Sequence, residues 1–290
     1  MAVMKTRQFK QLGSMPKAAR DTLLADGLGR VAENVTAMIR EIDETTQISA
    51  VRSTRLMWNV AREEAGKFLV LIDLYRVPDA DQKTQSDQLG RASTHLAKLL
   101  YAQMADYSIG DRREMVRALN RHRESLHLDG PNDFDFIMPN DLITERESAL
   151  YVDLVEVEGH LEWWAPSEPF SYSVPSRSMR LVDALARTGL ISVEGFKCLQ
   201  EAWADFDHLE DSTYSAWGAR TEHALVRLAD SRPPADALRW SEIAGEVVDW
   251  WPMPLVHLDL GLNKVTEAEL VAERDKQYEA WLASEYGHPA

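Results

Sequence analysis

Residues 57–74 read MWNVAREEAGKFLVLIDL, an apolar run of helical length that contains Glu63, Glu64 and Lys67. Charged side chains rarely enter such a run without partners, because burying an unpaired charge costs free energy. Both glutamates precede Lys67 by three or four residues, so either carboxylate can reach the ammonium on one helical surface. The stretch therefore predicts a largely buried helix with an ion pair at the edge of a core.

An ordinary surface pair is the alternative interpretation of these charges. Arg55, Asn59 and Arg62 favour it, because they predict that one side of the helix meets water. Gly66 favours a structural or functional site instead. Glycine in a helix interior costs about 1 kcal/mol relative to alanine and is usually tolerated where another element packs closely. The sequence leaves both interpretations open.

The composition is that of a globular protein with one large or two smaller domains. The chain has 290 residues, of which 45% are hydrophobic and 27% are charged. No stretch approaches the roughly 18 apolar residues of a membrane span, and no secretory signal is recognisable. We therefore expect a cytoplasmic protein without a membrane partner. Cys198 is the only cysteine, which excludes an intramolecular disulfide and predicts a core thiol rather than a nucleophile.

The net charge of −15 argues against broad nonspecific binding of nucleic acid, which requires a basic surface. A basic patch nevertheless lies in one short stretch, residues 111–128. Its members are Arg112, Arg113, Arg117, Arg121, His122, Arg123 and His127. If the chain contacts RNA, this patch is the first candidate, and the expected RNA-binding residues are Arg112, Arg113, Arg121 and Arg123.

Apolar periodicity predicts a mainly α fold. Four long helices are expected first, the leading two as an antiparallel hairpin, at residues 17–44, 48–75, 84–107 and 111–128. Residues 131–141 contain turn residues without a sustained period. Residues 149–164 are rich in strand formers and predict a small β-hairpin that turns at Glu158 and Gly159.

Helical periodicity resumes after a proline-rich loop. Five further helices are expected near residues 177–187, 193–206, 213–229, 235–250 and 267–285. We expect a helical bundle with its β-hairpin at residues 1–175 and a C-terminal helical region at residues 176–290. The second region either packs on the first or continues it as a single domain.

The basic patch contains two Arg and His pairs with a suggestive spacing, Arg117 with His122 and Arg121 with His127. Ribonucleases of the HEPN superfamily use a motif in which an Arg is followed, after four to six residues, by a His. The Arg stabilises phosphate and the His transfers protons. About two such pairs arise by chance in a chain of this composition, so only their position on one helix favours function. Arg117 and His122 are therefore candidate catalytic residues of a metal-independent endoribonuclease.

A second candidate site involves the third predicted helix. His95 and Lys98 lie three residues apart and therefore share a face, which is either solvated or packed on the second helix. In the packed arrangement they join Glu63, Glu64 and Lys67 in a polar cluster of the kind that forms catalytic sites in bundles. His208, Glu210 and Asp211 lack a helical metal-binding spacing, so no metal and no cofactor are expected. The polar cluster adds His95 and Lys98 to the candidate catalytic residues.

Three segments together resemble the AbiV-type abortive infection proteins of bacteria, which belong to the HEPN group. They are RLMWNVAREEAGKFLVL, STHLAKLL and ALYVDLVEVEGHLEWWAP, in this order. The match covers roughly residues 17–217, and the segment from about Arg232 onward looks like an extension. The residues that carry the resemblance are Glu63, Glu64, Gly66, Lys67, His95, Lys98, Tyr151, Val152, Asp153, Trp163 and Pro166.

The resemblance implies a HEPN-like helical fold, a homodimer and a toxin-like role in antiviral defence. Such an effector stops phage multiplication at the cost of the infected cell, by translation inhibition. Our first hypothesis adds that the protein is inactive until a phage protein triggers it, and that it then attacks RNA or the ribosome. The Arg and His motif is not part of the AbiV pattern, so a ribonuclease role for Arg117 and His122 is a separate hypothesis.

Two other classes of function remain open at the level of sequence. The first is a nonenzymatic sensor or adaptor that binds a phage protein through the C-terminal half, with aromatic hot spots near Trp250, Trp251 and Trp281. The second is a structural helical protein without a defence role.

Overall fold

A computed structural model describes residues 8–48, 51–78, 81–129, 136–157, 159–164, 175–207 and 212–286. The fold is mainly α, which confirms the predicted class. The helices are α1 (Lys17–Gln47), α2 (Val51–Ile72), α3 (Gln82–Arg91), α4 (His95–Asp106), α5 (Arg112–His122), α6 (Asp141–Ser148), α7 (Arg177–Thr188), α8 (Val193–Trp203), α9 (Tyr214–Ser231), α10 (Ala237–Trp250) and α11 (Glu267–Tyr286). Short 3₁₀ helices span Phe9–Ser14 and Asp73–Arg76.

Two small antiparallel hairpins interrupt the helices. Strand β1 (Leu126–Asp129) pairs with β2 (Phe136–Pro139), and β3 (Asp153–Val157) pairs with β4 (His160–Trp164). The second hairpin was predicted and turns through Gly159, whose φ of 79° suits glycine because it lacks a Cβ. The first hairpin was not predicted. None of the described helices is long and apolar enough to cross a membrane.

Helices α1 and α2 form the predicted antiparallel hairpin at the centre of the fold. Near its closed end, the hydroxyl of Thr54 donates to Thr45 at 3.1 Å. Near its open end, the hydroxyl of Tyr75 donates to the buried carboxylate of Asp21 at 2.9 Å. Contacts at both ends fix the register of the two helices. Helices α4 and α7 pack against α2 and complete the centre of the fold.

The prediction that one side of α2 faces water is wrong at two positions. Asn59 and Arg62 are buried, whereas the apolar Val60 between them is exposed. Helix α6 explains the difference, because it packs on this side of α2 and Glu145 of α6 forms an ion pair with Arg62 at 3.5 Å. The guanidinium of Arg62 also lies 5.2 Å from the ring of Trp58.

The third predicted helix is two helices. Residues 92–94 separate α3 from α4, and Thr94 has an extended backbone with φ of −101° and ψ of 122°. Arg91, at the end of α3, donates to the carbonyl oxygens of Leu255, Val256 and Leu258. The break therefore separates a helix that holds the C-terminal segment from one that packs on α2.

The fourth predicted helix ends at His122, so the expectation of a helix through residue 128 is wrong. The amide of Asn140 donates to the carbonyl oxygens of His122 at 2.9 Å and Glu124 at 2.7 Å. The backbone N–H of Asn263 donates to the carbonyl of Arg123 at 2.7 Å. These tertiary bonds satisfy the carbonyl groups that would otherwise continue the helix.

The C-terminal half contributes directly to the same hydrophobic core. Buried residues from both sides of position 175 form a single cluster, and the ring of Phe196 stacks on Tyr75 with centroids 3.7 Å apart. Trp251 is buried and lies against the guanidinium of Arg76 at 4.2 Å. Cys198 is buried, as predicted for a core thiol.

Candidate functional site

A close approach of α2 and α4 builds the candidate site. A Cβ atom added at Gly66 would lie 1.9 Å from the carbonyl oxygen of Lys98, so only glycine permits this distance between the two backbones. The prediction that Gly66 serves close packing of another element is confirmed. The contact brings His95 and Lys98, at the start of α4, next to Glu63 of α2.

Glu63 is the centre of a cluster of four charged or titratable side chains. One carboxylate oxygen, Oε1, accepts from Nδ1 of His95 at 2.6 Å and from Nζ of Lys98. The other, Oε2, accepts from Nε of Arg146 at 3.0 Å. The exposed side-chain fractions are 14% for Glu63, 9% for Lys98, 27% for Arg146 and 39% for His95. We call these four residues the Glu63 cluster.

Its electrostatics favour an ionised carboxylate. Burial opposes the charged form of Glu63, but the bonds from Lys98 and Arg146 and the proximity of His95 outweigh that cost and lower the pKa of Glu63. Because Nδ1 of His95 is bonded to Glu63, the other ring nitrogen, Nε2, is the one left for a further partner. Among the described residues, none forms a hydrogen bond with His95 Nε2.

This lowered pKa predicts a stability that depends on pH. Because the unfolded chain binds the proton more readily at Glu63, the contribution of this residue is complete above about pH 5 and is lost as pH falls below about 4.3. We expect Glu63→Gln to cost about 2 kcal/mol of unfolding free energy at pH 7, because Lys98 then lacks its counter-charge.

Urea titrations of both proteins between pH 3 and pH 7 measure this effect. The difference between wild type and Glu63→Gln should shrink as pH falls. The exposed Glu246→Gln removes one negative charge at a position without a described partner and serves as the control. A difference that stays constant across the pH range contradicts a lowered pKa at Glu63.

The remaining residues of the predicted cluster lie apart from Glu63. Lys67 donates to both carboxylate oxygens of Glu64, the longer contact being 2.6 Å. Lys67 also lines a cavity with Phe9 and Leu23, on the side of α2 that faces α1. The predicted single cluster is therefore two units, the Glu63 cluster and the Glu64 and Lys67 pair.

The structure does not bring Arg117 and His122 together as a pair. Five residues along an α-helix correspond to a rotation of about 140° between the two side chains. His122 already uses both ring nitrogens, because Nδ1 lies 3.1 Å from a carboxylate oxygen of Asp141 and Nε2 lies 3.1 Å from the hydroxyl of Tyr107. Burial raises the pKa of Asp141, but the bond to His122 outweighs it and the net shift is downward.

The predicted RNA-binding arginines differ in their surroundings. Arg113, Arg117 and Arg121 are exposed on α5, and Arg112 is half-buried. Arg123 follows the helix and is held by the carbonyl oxygen of Gly261 at 2.8 Å and by the carboxylate of Asp259. Helix α5 therefore keeps a cationic surface, whereas Arg123 has a structural partner.

Sequence reasoning missed one residue of the Glu63 cluster, Arg146, and misplaced its neighbour in α2, Arg62. Arg146 belongs to α6, a short helix that was not predicted, and Arg62 was assigned to the water-facing side of α2. Asn140 caps α6 by accepting from the backbone N–H of Ile143 at 3.1 Å. The sequence signal that could have identified α6 is Asn140, a favoured N-cap residue, followed by the acidic Asp141 in the first turn.

Other candidate residues are placed as follows. Tyr151, Val152 and Trp163 are exposed, on and beside the β3–β4 hairpin. Pro166 and the group of His208, Glu210 and Asp211 lie outside the described residues. Within the described ranges, no group of three or more His, Cys, Asp or Glu side chains has the arrangement of a metal site.

No family model, no curated protein and no solved structure matches the chain. The geometry of the Glu63 cluster and the charge of α5 are therefore the basis for assigning a function.

Proposed function

We propose that this protein is an antiphage defence effector of the AbiV type with a HEPN-like fold, and that it acts by cleaving RNA at the Glu63 cluster. The observation that carries the proposal is a partly exposed histidine, His95, whose Nδ1 is bonded to a carboxylate while two cationic side chains share that carboxylate. This combination of a general base with adjacent cations suits reactions at phosphate.

The cluster supplies the groups that phosphodiester cleavage requires. Glu63 holds the imidazole with Nδ1 protonated, so Nε2 of His95 accepts the proton of an RNA 2′-hydroxyl. The 2′-oxygen then bonds to phosphorus as the bond to the 5′-oxygen breaks, and the departing oxygen takes a proton from water. Lys98 and Arg146 supply positive charge beside the reacting phosphate.

Helix α5 supports the same proposal as a surface for the RNA backbone. It packs against α4, which carries His95 and Lys98. Its exposed arginines attract phosphate groups in a chain whose net charge otherwise repels nucleic acid. In this assignment Arg117 binds RNA, and the catalytic role passes from His122 to His95, because both ring nitrogens of His122 are occupied.

The proposal predicts that His95→Gln abolishes RNA cleavage with little change in melting temperature. We expect cleavage to fall at least 100-fold, because glutamine cannot take up the proton, whereas the exposed side of His95 tolerates the substitution. The measurement is the integrity of tRNA and rRNA on denaturing gels, from phage-infected cells that carry the wild type or the variant.

Two lysine variants test whether cleavage depends on the Glu63 cluster or on the neighbouring Glu64 and Lys67 pair. Lys98→Met should lose cleavage, whereas Lys67→Met, which removes a similar ion pair outside the Glu63 cluster, should retain it. Melting curves of both variants identify any loss that comes from unfolding. Cleavage that persists in His95→Gln would exclude the Glu63 cluster as the site.

A second candidate function is a nonenzymatic sensor or adaptor that binds a phage protein. Tyr278 and Trp281 favour it, because both are exposed on α11 and their ring centroids lie 5.8 Å apart. Trp251 is buried and Trp250 is half-buried, so Trp251 is withdrawn from the predicted hot spots. Phage protection without RNA cleavage, lost in Trp281→Ala, would favour this candidate.

A further inference from the structure

A cavity of the C-terminal half lies far along the chain from the Glu63 cluster. It has a volume of about 700 Å³ and lies where the end of α7, the end of α9 and the start of α10 meet. A volume of this size holds a small organic ligand. The side chains that define it are Arg187, Thr188, Leu228, Arg232, Arg239 and Trp240.

Positive charge converges on this cavity. Arg187, Arg232 and Arg239 come from three different parts of the chain. Arg187 pairs with Asp183 at 3.2 Å, whereas no acidic side chain in the described ranges pairs with Arg232 or Arg239. Three arginines around one cavity reverse the local charge of a chain whose net charge is −15.

Asp236, the acidic residue in the lining of the cavity, caps a helix and does not pair with these arginines. The carboxylate of Asp236 accepts from the backbone N–H of Arg239 at 3.0 Å and caps α10. Its negative charge therefore lies against the helix start. Arg232 and Arg239 remain the unpaired charges of the cavity, and guanidinium groups bind phosphate oxygens in pairs of parallel hydrogen bonds.

One side of the cavity is aromatic and apolar, and a hydrogen bond fixes the position of its Trp240. The indole N–H of Trp240 donates to the carbonyl of Thr188 at 3.2 Å, which ties α10 to the end of α7. Gly189 ends α7 with a φ of 87°. Leu228 and Ile243 complete an apolar side. The apolar side of the cavity, with Trp240, therefore suits a planar aromatic portion of a ligand.

We propose that this cavity binds a nucleoside phosphate, with the phosphates on Arg232 and Arg239 and the base against Trp240. The arrangement separates a cationic side from an aromatic and apolar side, and a nucleotide has the same two parts. This site is independent of the RNA-cleaving function proposed above, since none of its residues belongs to the Glu63 cluster.

Calorimetric titration of the full-length protein with ATP, GTP, adenosine and inorganic phosphate tests the proposal. We expect ATP or GTP to bind more tightly than both adenosine and inorganic phosphate, because only the nucleotides reach both sides of the cavity. Arg232→Gln and Arg239→Gln should each weaken nucleotide binding at least 10-fold, since each removes charge-assisted hydrogen bonds to the phosphates.

Arg40→Gln is the matched control, because Arg40 is also exposed but lies on α1, outside the cavity. It should bind nucleotide like the wild type. Because Arg232 and Arg239 are exposed, their variants should keep the wild-type melting temperature in the absence of nucleotide. Failure of the wild type to bind either nucleotide overturns the proposal. Equal binding by the wild type and both cavity variants, or equal affinity for ATP and inorganic phosphate, also overturns it.

Discussion

Gly66→Ala is expected to destabilise the protein by about 3 kcal/mol or more, because the added methyl group overlaps the backbone of a neighbouring helix. The added Cβ would lie 1.9 Å from the carbonyl oxygen of Lys98 and 2.6 Å from its carbonyl carbon. Both are backbone atoms of α4, so no side chain can rotate away to relieve the contact. The two helices would have to separate.

Separation of α2 and α4 would also disturb the Glu63 cluster. Lys98 carries both the carbonyl oxygen that contacts Gly66 and the ammonium that bonds Glu63. A shift of its backbone therefore displaces the ammonium from the carboxylate. Under the proposed function, Gly66→Ala loses RNA cleavage together with stability, whereas His95→Gln loses cleavage alone.

Chemical denaturation of wild type and Gly66→Ala measures the difference in unfolding free energy. Gly29→Ala is the control, because Gly29 lies within α1 and a Cβ there would meet no atom within 4 Å. Alanine at that position should stabilise the protein by about 0.5–1 kcal/mol through the helix preference alone. A Gly66→Ala protein as stable as the wild type would show that α2 and α4 do not approach as described.

Arg76→Met is expected to cost about 3–5 kcal/mol. Arg76 is fully buried, pairs with Asp73 at 3.0 Å and donates to the carbonyl oxygen of Pro252 at 2.7 Å. Its guanidinium lies 4.2 Å from the ring of Trp203 and 4.2 Å from the ring of Trp251. Methionine fills part of this space but leaves the carboxylate of Asp73 without its counter-charge.

Because Arg76 is paired with Asp73, a second substitution at Asp73 should recover part of the unfolding free energy that Arg76→Met loses. Burial raises the pKa of Asp73, although Arg76 and Tyr101 oppose the shift. Without Arg76, the buried carboxylate must either bind a proton or remain unpaired. We expect the double variant Arg76→Met with Asp73→Asn to recover part of the stability that Arg76→Met loses, because no charge is then buried.

Denaturation midpoints of the single and double variants measure this coupling. Arg30→Met is the control, since Arg30 and Asp26 form an exposed pair at 2.9 Å on α1 and its removal should change stability little. A small effect of Arg76→Met, similar to that of Arg30→Met, would contradict the role of Arg76 in holding Trp251 and Pro252 against the core.

Much of the fold could be predicted because its elements carry strong local patterns. Helix α2 has apolar residues at helical spacing through Phe68 and Ile72, both fully buried. The β3–β4 hairpin has strand-forming residues on both sides of Gly159. These signals depend on neighbours in sequence, so they survive without knowledge of the tertiary packing.

The misplaced elements lack such local signals. Helix α5 contains helix formers up to Arg123, but Asn140 and Asn263 bond the carbonyl groups at its end from distant parts of the chain. Helix α6 has only eight residues and a weak apolar pattern, so it was missed together with Arg146. A partner supplied by a remote segment leaves no periodicity in the sequence around its target.

The partners of Glu63 and Glu64 show what the sequence determined about this protein and what only the tertiary structure decided. The sequence determined that α2 is a largely buried helix and that charges in this helix require partners, and Gly66 only favoured a close approach, which the structure contains. It gave both glutamates nearly equivalent access to Lys67, because three and four residues are both one helical turn. The packing of α4 and α6 places Lys98 and Arg146 on Glu63 and leaves Lys67 to Glu64. Local spacing limits which partners are within reach, but the choice between them depends on the free energy of burying each charge, which only the packed helices set.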